Sequence, residues 1–317
     1  MSRPFESEVR QDFERARQHG LFADLRAIFA RRSRDLIPYH EVRQRVSPEG
    51  ESYRGVQTVP LSQIVGSMDR FQDFNREFFP RQRFTAGRWQ NVDRAYYEDV
   101  RLPPIQLYKV GDVYFVKDGN HRVSVAHEKG QEFIDAEVIE GHVRAPLYAS
   151  MRPAELLLQA EYAEFLRRTD LDRLQPDHDI RPTALGRYDE IWEQIEGHRA
   201  WLAAIRHVPV TVADAVDDWY ANIYLPIVKV ARERGIVERF PNQTEADIYL
   251  WVIRHRWALE RQLGRDIGPA PAAEDYAEQM PPPDGPLRRL LAPIMAPLRA
   301  VAERLPRGRG RGDAASG

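Results

Sequence analysis

The residues best suited to chemistry stand together at 118–122, where Asp118, Gly119, Asn120, His121 and Arg122 follow one another. Asp118 and Gly119 favour a tight turn, because glycine tolerates positive φ angles. A turn that leads into a helix presents free backbone N–H groups and the positive end of the helix dipole at one place. Arg122 adds a planar set of donors that suits phosphate or carboxylate. The pentapeptide therefore predicts a binding site for an anion.

The residues on either side predict the elements that position this turn. An apolar run over 113–116 predicts a strand, and residues 121–126 place apolar side chains at helical spacing. Gly130 predicts the end of that helix, and the alternating run over 133–139 predicts a second strand. The unit is therefore predicted to be strand, sharp turn, helix and strand.

Segments further upstream are predicted to complete the same domain. Residues 105–110 predict a strand that turns at Gly111 and Asp112 into the run over 113–116. Residues 56–67 predict a strand that continues into a short helix. A further helix with an aromatic core face is predicted from the helical spacing of three side chains, Phe71, Phe74 and Phe78.

The run Asp-Gly-Asn-His-Arg-Val-Ser-Val-Ala over 118–126, followed by Gly130 and by Ile-Asp-Ala at 134–136, resembles the core motif of the ParB/sulfiredoxin superfamily. Val-Pro-Leu at 59–61 is similar to the opening of such domains. The turn of that motif reads Gly-Glu-Arg-Arg in ParB proteins, which bind the phosphates of CTP. It reads Gly-Cys-His-Arg in sulfiredoxins, which bind ATP, and Asp-Gly-His-His-Arg in the ADP-dependent serine kinases. Asn120 stands in the place of the sulfiredoxin cysteine, and this chain has no cysteine, so sulfiredoxin chemistry is excluded.

The resemblance implies a nucleoside diphosphate or triphosphate as ligand, with Mg²⁺ as an accompanying ion. Gly119, Asn120 and the backbone around them would hold the phosphates, and Arg122 would neutralise them. As catalytic candidates, His121 would contact a phosphate or act as an acid or base, while Asp118 would orient the turn or assist a divalent ion. Two plainer interpretations stay open: Asp118 as a turn residue alone, and His121 as a half-buried imidazole.

Residues before the turn offer further candidates for the same site. Ser67 and Arg70 follow a glycine, so both are candidates to contribute to the anion pocket, although Ser67 also suits a plain helix N-cap. Phosphoryl transfer needs a base near the acceptor, and Asp118, Asp73 and Glu77 are the candidates. The sequence does not choose among these carboxylates, and no set of protein metal ligands is predicted.

Composition sets the limits on function. Lys and Arg total 46 and Asp and Glu total 48 among 317 residues. The net charge of −2 is therefore not the overall positive charge that is typical of nucleic-acid-binding proteins. The absence of cysteine excludes disulfides, cysteine zinc sites and thiol catalysis. No apolar stretch has transmembrane length and the N-terminus is not a signal peptide, so we expect a cytoplasmic protein.

We predict an α+β chain of four segments. A helical N-terminal extension covers 1–45, and a compact ParB/sulfiredoxin-like domain with a mixed sheet covers 46–145. An all-helical domain covers 146–265, and a Pro-, Arg- and Gly-rich, mostly disordered tail covers 266–317.

Three predictions concern local structure within and before the sheet domain. Residues 4–31 predict an amphipathic helix with an interruption near Gly20. Residues 46–55 predict a linker or loop, and residues 80–104 predict an inserted loop with one or two helical turns.

The helical domain carries its own motifs. Thr244 and Asp247 predict a capping box with Asp in place of Glu. The pairs His198-Arg199 and His255-Arg256 predict either a second anion site, if their helices pack together, or helix borders that meet carboxylates. Residues 240–251 resemble a bacterial domain family of unknown function found behind ParB-like domains, a resemblance that implies no activity.

These observations leave hypotheses of different classes. The first is a nucleotide-binding protein that acts as a phosphotransferase or hydrolyses a nucleoside triphosphate. The second is a DNA-associated ParB-like regulator, which is disfavoured because the helices lack a short turn between a supporting and a recognition helix. The third is a scaffold without catalysis whose helical domain or tail binds a partner protein.

Overall fold

The computed structural model describes residues 5–30 and 33–279, which form an α+β architecture with a mixed sheet. The strands are β1 (Ile37–Pro38), β2 (Glu51–Pro60), β3 (Ile64–Ser67), β4 (Ile105–Val110), β5 (Val113–Asp118) and β6 (Phe133–Gly141). The helices are α1 (Glu6–Phe29), α2 (Tyr39–Arg43), α3 (Ala86–Tyr97), α4 (Asn120–Glu128), α5 (Pro153–Thr169), α6 (Leu171–Leu174), α7 (Arg187–Arg206), α8 (Val212–Trp219), α9 (Leu225–Glu233), α10 (Ile236–Arg239), α11 (Glu245–Leu263) and α12 (Pro269–Gln279). A 3₁₀ turn at Leu61–Gln63 stands between β2 and β3.

The sheet has six strands in the order β1-β3-β5-β4-β6-β2. The β4–β5 and β2–β6 pairs are antiparallel, and the β1–β3, β3–β5 and β4–β6 pairs are parallel. Val110 faces Val113 across the β4–β5 hairpin, which confirms the predicted turn at Gly111 and Asp112. The helix α4 crosses from the end of β5 to the start of β6, as the sequence predicts.

A hydrophobic core joins the central strands to α4. In β4 and β6 buried residues are interspersed with more exposed ones, whereas the four residues at 113–116 of β5 are all buried, because this central strand is covered on both faces. The buried residues from these strands are packed with residues of α4 in one cluster that includes Ile105, Leu107, Val116, Ala136, Val138, Val123 and Ala126. This core fixes the direction in which α4 leaves the sheet.

A second cluster attaches α1 and α3 to the outer face of α4. Phe13 and Ala16 of α1 are buried with Trp89 of α3 and Val125 of α4. The helix α1 is uninterrupted, so the predicted break near Gly20 is wrong. Gly20 serves close packing instead, because a β-carbon there would lie 3.0 Å from the Cβ of Phe79.

Lys129 links the same helices by charge. Its Nζ lies 2.6 Å from Asp12 Oδ2 and 2.8 Å from Asp93 Oδ1, and both carboxylates are almost fully buried. Tyr97 also donates a hydrogen bond to Asp12. Burial alone would lower the pKa of Lys129, but its hydrogen bonds to the two carboxylates raise that pKa above its ordinary value. The shared cation therefore compensates two buried acids at the junction of α1, α3 and α4.

Residues 68–80 are not helical, so the prediction of a helix there is wrong, although Phe74 and Phe78 are fully buried as expected of a core face. The side chain of Asn75 organises the segment. Its Oδ1 accepts hydrogen bonds from the N–H groups of Glu77 and Phe79, and its Nδ2 donates to Gly20 O of α1. Such side-chain bonds to the backbone compete with helix formation.

Other segments carry more regular structure than predicted. The strand β2 begins at Glu51, inside the predicted linker, because it pairs with β6 as far as Gly141. The helix α3 has 12 residues, where a loop with one or two helical turns was expected. Helix α12 over Pro269–Gln279 contradicts the predicted disorder of that part, since Ala272, Ala273 and Ala277 are buried. The remainder of the predicted disordered tail, 280–317, lies outside the described residues.

Contacts divide the chain into two units, residues 1–217 and 218–317. Every described element after β6 is helical. In the second unit the indole of Trp219 donates a hydrogen bond to Tyr249 Oη at 2.8 Å, deep in its core. The capping box of Thr244 and Asp247 is confirmed at the start of α11. None of the helices in the described part of the chain is both long and apolar enough to cross a membrane.

We predict that Lys129→Met destabilises the protein by about 3 kcal/mol or more, because it leaves buried carboxylates without their cation. Urea unfolding followed by circular dichroism measures the change. Lys117→Met is the matched control, since Lys117 is exposed and such a surface change costs at most about 0.5 kcal/mol. Equal stability of the two variants would contradict the compensating role of Lys129.

Candidate functional site

The bend between β5 and α4 depends on Gly119. Its φ of 112° is in the range that favours glycine. A β-carbon at this position would overlap Ile105 Cγ2 of the neighbouring strand and lie 2.8 Å from Ile105 Cβ. The glycine predicted from sequence as a turn residue is therefore required both for its backbone angle and for a close approach to β4.

The first turn of α4 opens toward a cavity. The first helical hydrogen bond runs from Val123 N–H to Gly119 O, so the N–H groups of Asn120, His121 and Arg122 have no partner within the helix. Asn120 is buried, and its side-chain Oδ1 has no hydrogen-bond partner among the described residues. Free amides at a helix start favour an anion.

The cavity at this helix start has a volume of about 330 Å³, and we call it the Arg88 cavity. Its walls come from the bend itself, from the loop after β3 and from one face of α3. The lining residues are Arg70, Arg88, Asn91, Val92, Asp118, Gly119, Asn120, His121 and Arg122. Three guanidinium-bearing side chains thus line one cavity beside the positive end of α4.

Arg122 is held by several hydrogen bonds. Its guanidinium donates to the backbone oxygens of Pro103 at 2.5 Å and Pro104 at 3.1 Å, and to Asp118 Oδ2 at 2.6 Å. The Arg122 side chain is 16% exposed, whereas that of Asp118 is 71% exposed. The loop before β4 therefore fixes the position of Arg122. One of the guanidinium donors is also used by the exposed carboxylate of Asp118.

Arg70 and Arg88 complete the positive charge of the cavity. Arg70, at a φ of 55°, pairs with Asp73 Oδ2 at 3.1 Å. Arg88 is exposed and forms no ion pair with any described residue. The guanidinium of Arg88 is therefore the group most available to an incoming anion.

A buried hydrogen bond positions Arg88. Trp89, its neighbour on α3, is fully buried and donates from Nε1 to Ser124 Oγ of α4 at 2.9 Å. This contact fixes the rotation of α3 about its axis, which turns Arg88 and Asn91 toward the start of α4. Sequence reasoning missed both residues because it treated 80–104 as a loop. The helical spacing of Trp89, Val92 and Tyr96 was the available signal.

His121 lies in the wall of the cavity as a neutral ring. Burial, and after it the nearby charges of Arg70 and Arg88, lower the pKa of His121 to about 4. The ring contacts Phe74 edge to face, and neither ring nitrogen has a hydrogen-bond partner among the described residues. At neutral pH the imidazole can donate one N–H to a ligand, but it carries no charge.

The other sequence candidates lie at different places. Ser67 ends strand β3, fully buried, with its Oγ bonded to the carbonyls of Asp69 and Val116; it is neither at a helix N-cap nor in the lining of the Arg88 cavity. Glu77 lies 3.6 Å from Arg26 of α1 and lines a different cavity. The structure thus brings together Arg70 with residues 118–122, and separates Ser67 and Glu77 from them.

The His-Arg pairs meet neighbours within their own units. Arg199 pairs with Glu196 at 2.6 Å, and His198 stacks on Trp201. In the second unit, His255 lies 2.6 Å from Asp275, and Arg256 pairs with Asp266. These contacts match the helix-border interpretation, in which each pair meets carboxylates.

The donor set suits phosphate groups better than a protein-bound metal. Backbone amides and arginines are phosphate ligands, and Asp118 is the one carboxylate in the lining. Across the described ranges, no group of three or more His, Asp or Glu side chains is arranged to hold a metal ion. Mg²⁺ would therefore depend mainly on phosphate oxygens and water, with Asp118 as its protein ligand.

No protein-family model matches this chain, and no curated protein matches it either.

We predict that stability falls as the pH drops from 6.5 toward 4. His121 has a pKa of about 4 in the folded state against 6.5 as its ordinary value, so the unfolded chain binds more protons in this interval. Burial also lowers the pKa of His127 to about 4, which acts in the same direction.

The test compares urea unfolding at pH 7 and pH 4.5 for the wild type and for His121→Leu. The variant should lose less stability on acidification, because it cannot take up this proton in the unfolded state. The same acid sensitivity in both proteins would show that His121 does not remain neutral in the fold.

Proposed function

We propose that the protein binds a nucleoside diphosphate or triphosphate through its phosphates, as a member of the ParB/sulfiredoxin superfamily. The observation that carries the proposal is the position of Arg70, Arg88 and Arg122 around the start of α4 in one cavity. The resemblance of residues 118–126 to the superfamily motif supports the choice of a nucleotide over other anions.

The phosphates would be bound by complementary groups. The free N–H groups of Asn120 and His121 supply hydrogen bonds at the positive end of the helix, and Arg88 supplies an available charge. Asp118 would exchange its contact with Arg122 for a Mg²⁺ ion or water, which leaves Arg122 free to donate to the ligand. Exposed ion pairs of this kind contribute about 0–1 kcal/mol, so the exchange costs little.

Binding is the function that this geometry supports best. Phosphoryl transfer or hydrolysis would also need a base beside the acceptor, and Asp118 is the candidate that lines the cavity. Asp73 does not line the cavity, and its carboxylate is paired with Arg70. The ring of His121 is neutral. A catalytic role for Asp118 therefore depends on the release of its contact with Arg122.

We predict that one of ATP, ADP, CTP and GTP, with Mg²⁺, raises the melting temperature of the protein in a thermal-shift assay. A ligand at about 100 times its Kd adds about 2.7 kcal/mol to the free energy of unfolding by mass action. Arg88→Ala should weaken that nucleotide about tenfold or more, since a charged hydrogen bond is worth about 1.5–3 kcal/mol.

Arg83→Ala is the matched control, because Arg83 is exposed in the turn before α3 and does not line the cavity. Absence of a shift with every nucleotide would reject the proposal and favour the scaffold hypothesis. Retention on DNA that weakens steeply with salt would favour the regulator instead.

A further inference from the structure

Helix α1 carries two apolar faces. The face that packs onto the domain consists of Val9, Phe13, Ala16 and Ala23, all of them buried. The second face occupies the last third of the helix and consists of Leu21, Phe22, Leu25, Ile28 and Phe29. Each side chain of this second face is at least half exposed, and that of Phe29 is 87% exposed. We call it the Phe29 face, and no described residue covers it.

A groove lies beside the Phe29 face, between α1 and the segment after β3. Its volume is about 440 Å³, and its lining residues are His19, Phe22, Leu25, Arg26, Phe29, Glu77 and Phe79. We call it the Phe79 groove. The ring of His19 contacts that of Phe79 edge to face, and Asn75 hydrogen-bonds both Phe79 N–H and Gly20 O of α1. These contacts hold the two sides of the groove together, so it is formed before any partner binds.

The size of the Phe29 face matches what a small dimer interface needs. At these exposed fractions the five side chains present about 600 Å² of apolar surface, the upper end for the largest patch of a typical monomer. Two copies that cover this face against each other would bury about 1,200 Å² in total, which reaches the lower limit of stable interfaces. A second copy of the chain is therefore an occupant of suitable size.

The face and the groove also complement each other across a two-fold axis. Phe29 stands at the end of α1, whereas the Phe79 groove extends back to His19 and Phe22, about two turns earlier. When two such helices lie antiparallel, Phe29 of each copy reaches the groove of the other. The axis then passes midway between Phe29 and these groove residues, which is close to Leu25 on the same face.

The charges at the rim of the groove favour a protein surface over a lipid surface. Arg26 lies 3.6 Å from Glu77, and both side chains are at least half exposed. A rim with both signs can pair with a second copy of itself. An anionic membrane would be repelled by Glu77, and a flat lipid surface would leave the concave groove unfilled.

We propose that the Phe29 face is the interface of a homodimer, in which two α1 helices pack antiparallel and each inserts Phe29 into the Phe79 groove of the other copy. The inference concerns assembly and does not depend on phosphate binding at α4. None of the residues that line the Arg88 cavity belongs to the Phe29 face or to the Phe79 groove, so each copy keeps its own site.

Sedimentation velocity of the full chain over a range of micromolar concentrations tests the assembly. The wild type should form a dimer whose fraction rises with concentration. Phe29→Glu should raise the Kd of the dimer about tenfold or more, because it places a carboxylate in an apolar groove. Phe84→Glu is the matched control and should leave the Kd unchanged, since Phe84 is 72% exposed and lies outside both the face and the groove. Both variants change exposed side chains, and circular dichroism checks that both fold.

A cross-linking experiment tests the position of the two-fold axis. The chain has no cysteine, so a single introduced thiol reports on one place. Leu25→Cys should cross-link two copies through a short bismaleimide, because the axis places the two thiols opposite each other. Phe84→Cys, the matched control, should remain uncross-linked.

Three results would overturn the proposal. The first is a wild type that stays monomeric at every concentration, and the second is a dimer that Phe29→Glu leaves unchanged. The third is cosedimentation of a monomeric wild type with phosphatidylglycerol vesicles that Phe29→Glu abolishes, which would assign the face to lipid. The supporting result is a dimer that Phe29→Glu weakens, Phe84→Glu leaves intact and Leu25→Cys cross-links.

Discussion

The backbone at Gly119 passes so close to Ile105 that a side chain there would overlap the neighbouring strand. Ile105 cannot move away, because it is buried and β4 is hydrogen-bonded to β5 on one side and β6 on the other. The chain must therefore leave β5 through a left-handed residue and enter α4 at once. That constraint aims the amides of the first helical turn into the Arg88 cavity. The positions of Asn120, His121 and Arg122 all follow from it.

The three arginines around the cavity give it a positive charge that would favour a negatively charged ligand. Arg70 and Arg122 each have a carboxylate partner, whereas Arg88 has none among the described residues. The pKa of His121 is low, and the ring stays neutral, mainly because burial disfavours its charged form and secondly because Arg70 and Arg88 lie nearby. A bound phosphate would reduce the repulsion among these arginines. The same phosphate would also be attracted to the positive end of the α4 dipole. Binding of a phosphate would therefore both satisfy the helix start and reduce the repulsion among the arginines.

Sequence alone could predict the parts of the fold that local patterns determine. The β4–β5 hairpin, the bend at Gly119 and the helix after it each follow from residues that are adjacent in the chain. Contacts between distant residues determine the rest. Asn75 prevents a helix at 68–80 through bonds that include one to α1, and Trp89 turns α3 through a bond to Ser124. No local pattern contains these partners.

The same distinction holds for the site. Residues 118–122 could be assigned from the turn and the motif, because a strand that bends into a helix has a known set of free donors. Arg88 could not be assigned, because its place depends on how α3 packs against α4. Ser67 was assigned by its spacing from a glycine, but it is buried beside Val116 in the β3–β5 pair, and its hydroxyl donates to backbone carbonyls. Spacing predicts which residues are near a turn, and packing decides which of them reach the ligand.

The contacts of Arg122 bear on whether the bend between β5 and α4 can bind a ligand or has only a structural role. Two of its hydrogen bonds go to carbonyls of the loop before β4, and these hold the guanidinium at the wall of the Arg88 cavity. Its carboxylate partner, Asp118, is mostly exposed, so water can replace Arg122 around that carboxylate with little loss. A buried acid would have fixed the pair permanently, because separation would leave an uncompensated charge in the core. The arginine is thus fixed in position by backbone oxygens, while the carboxylate beside it can be exchanged, and the proposed phosphate site would need both features.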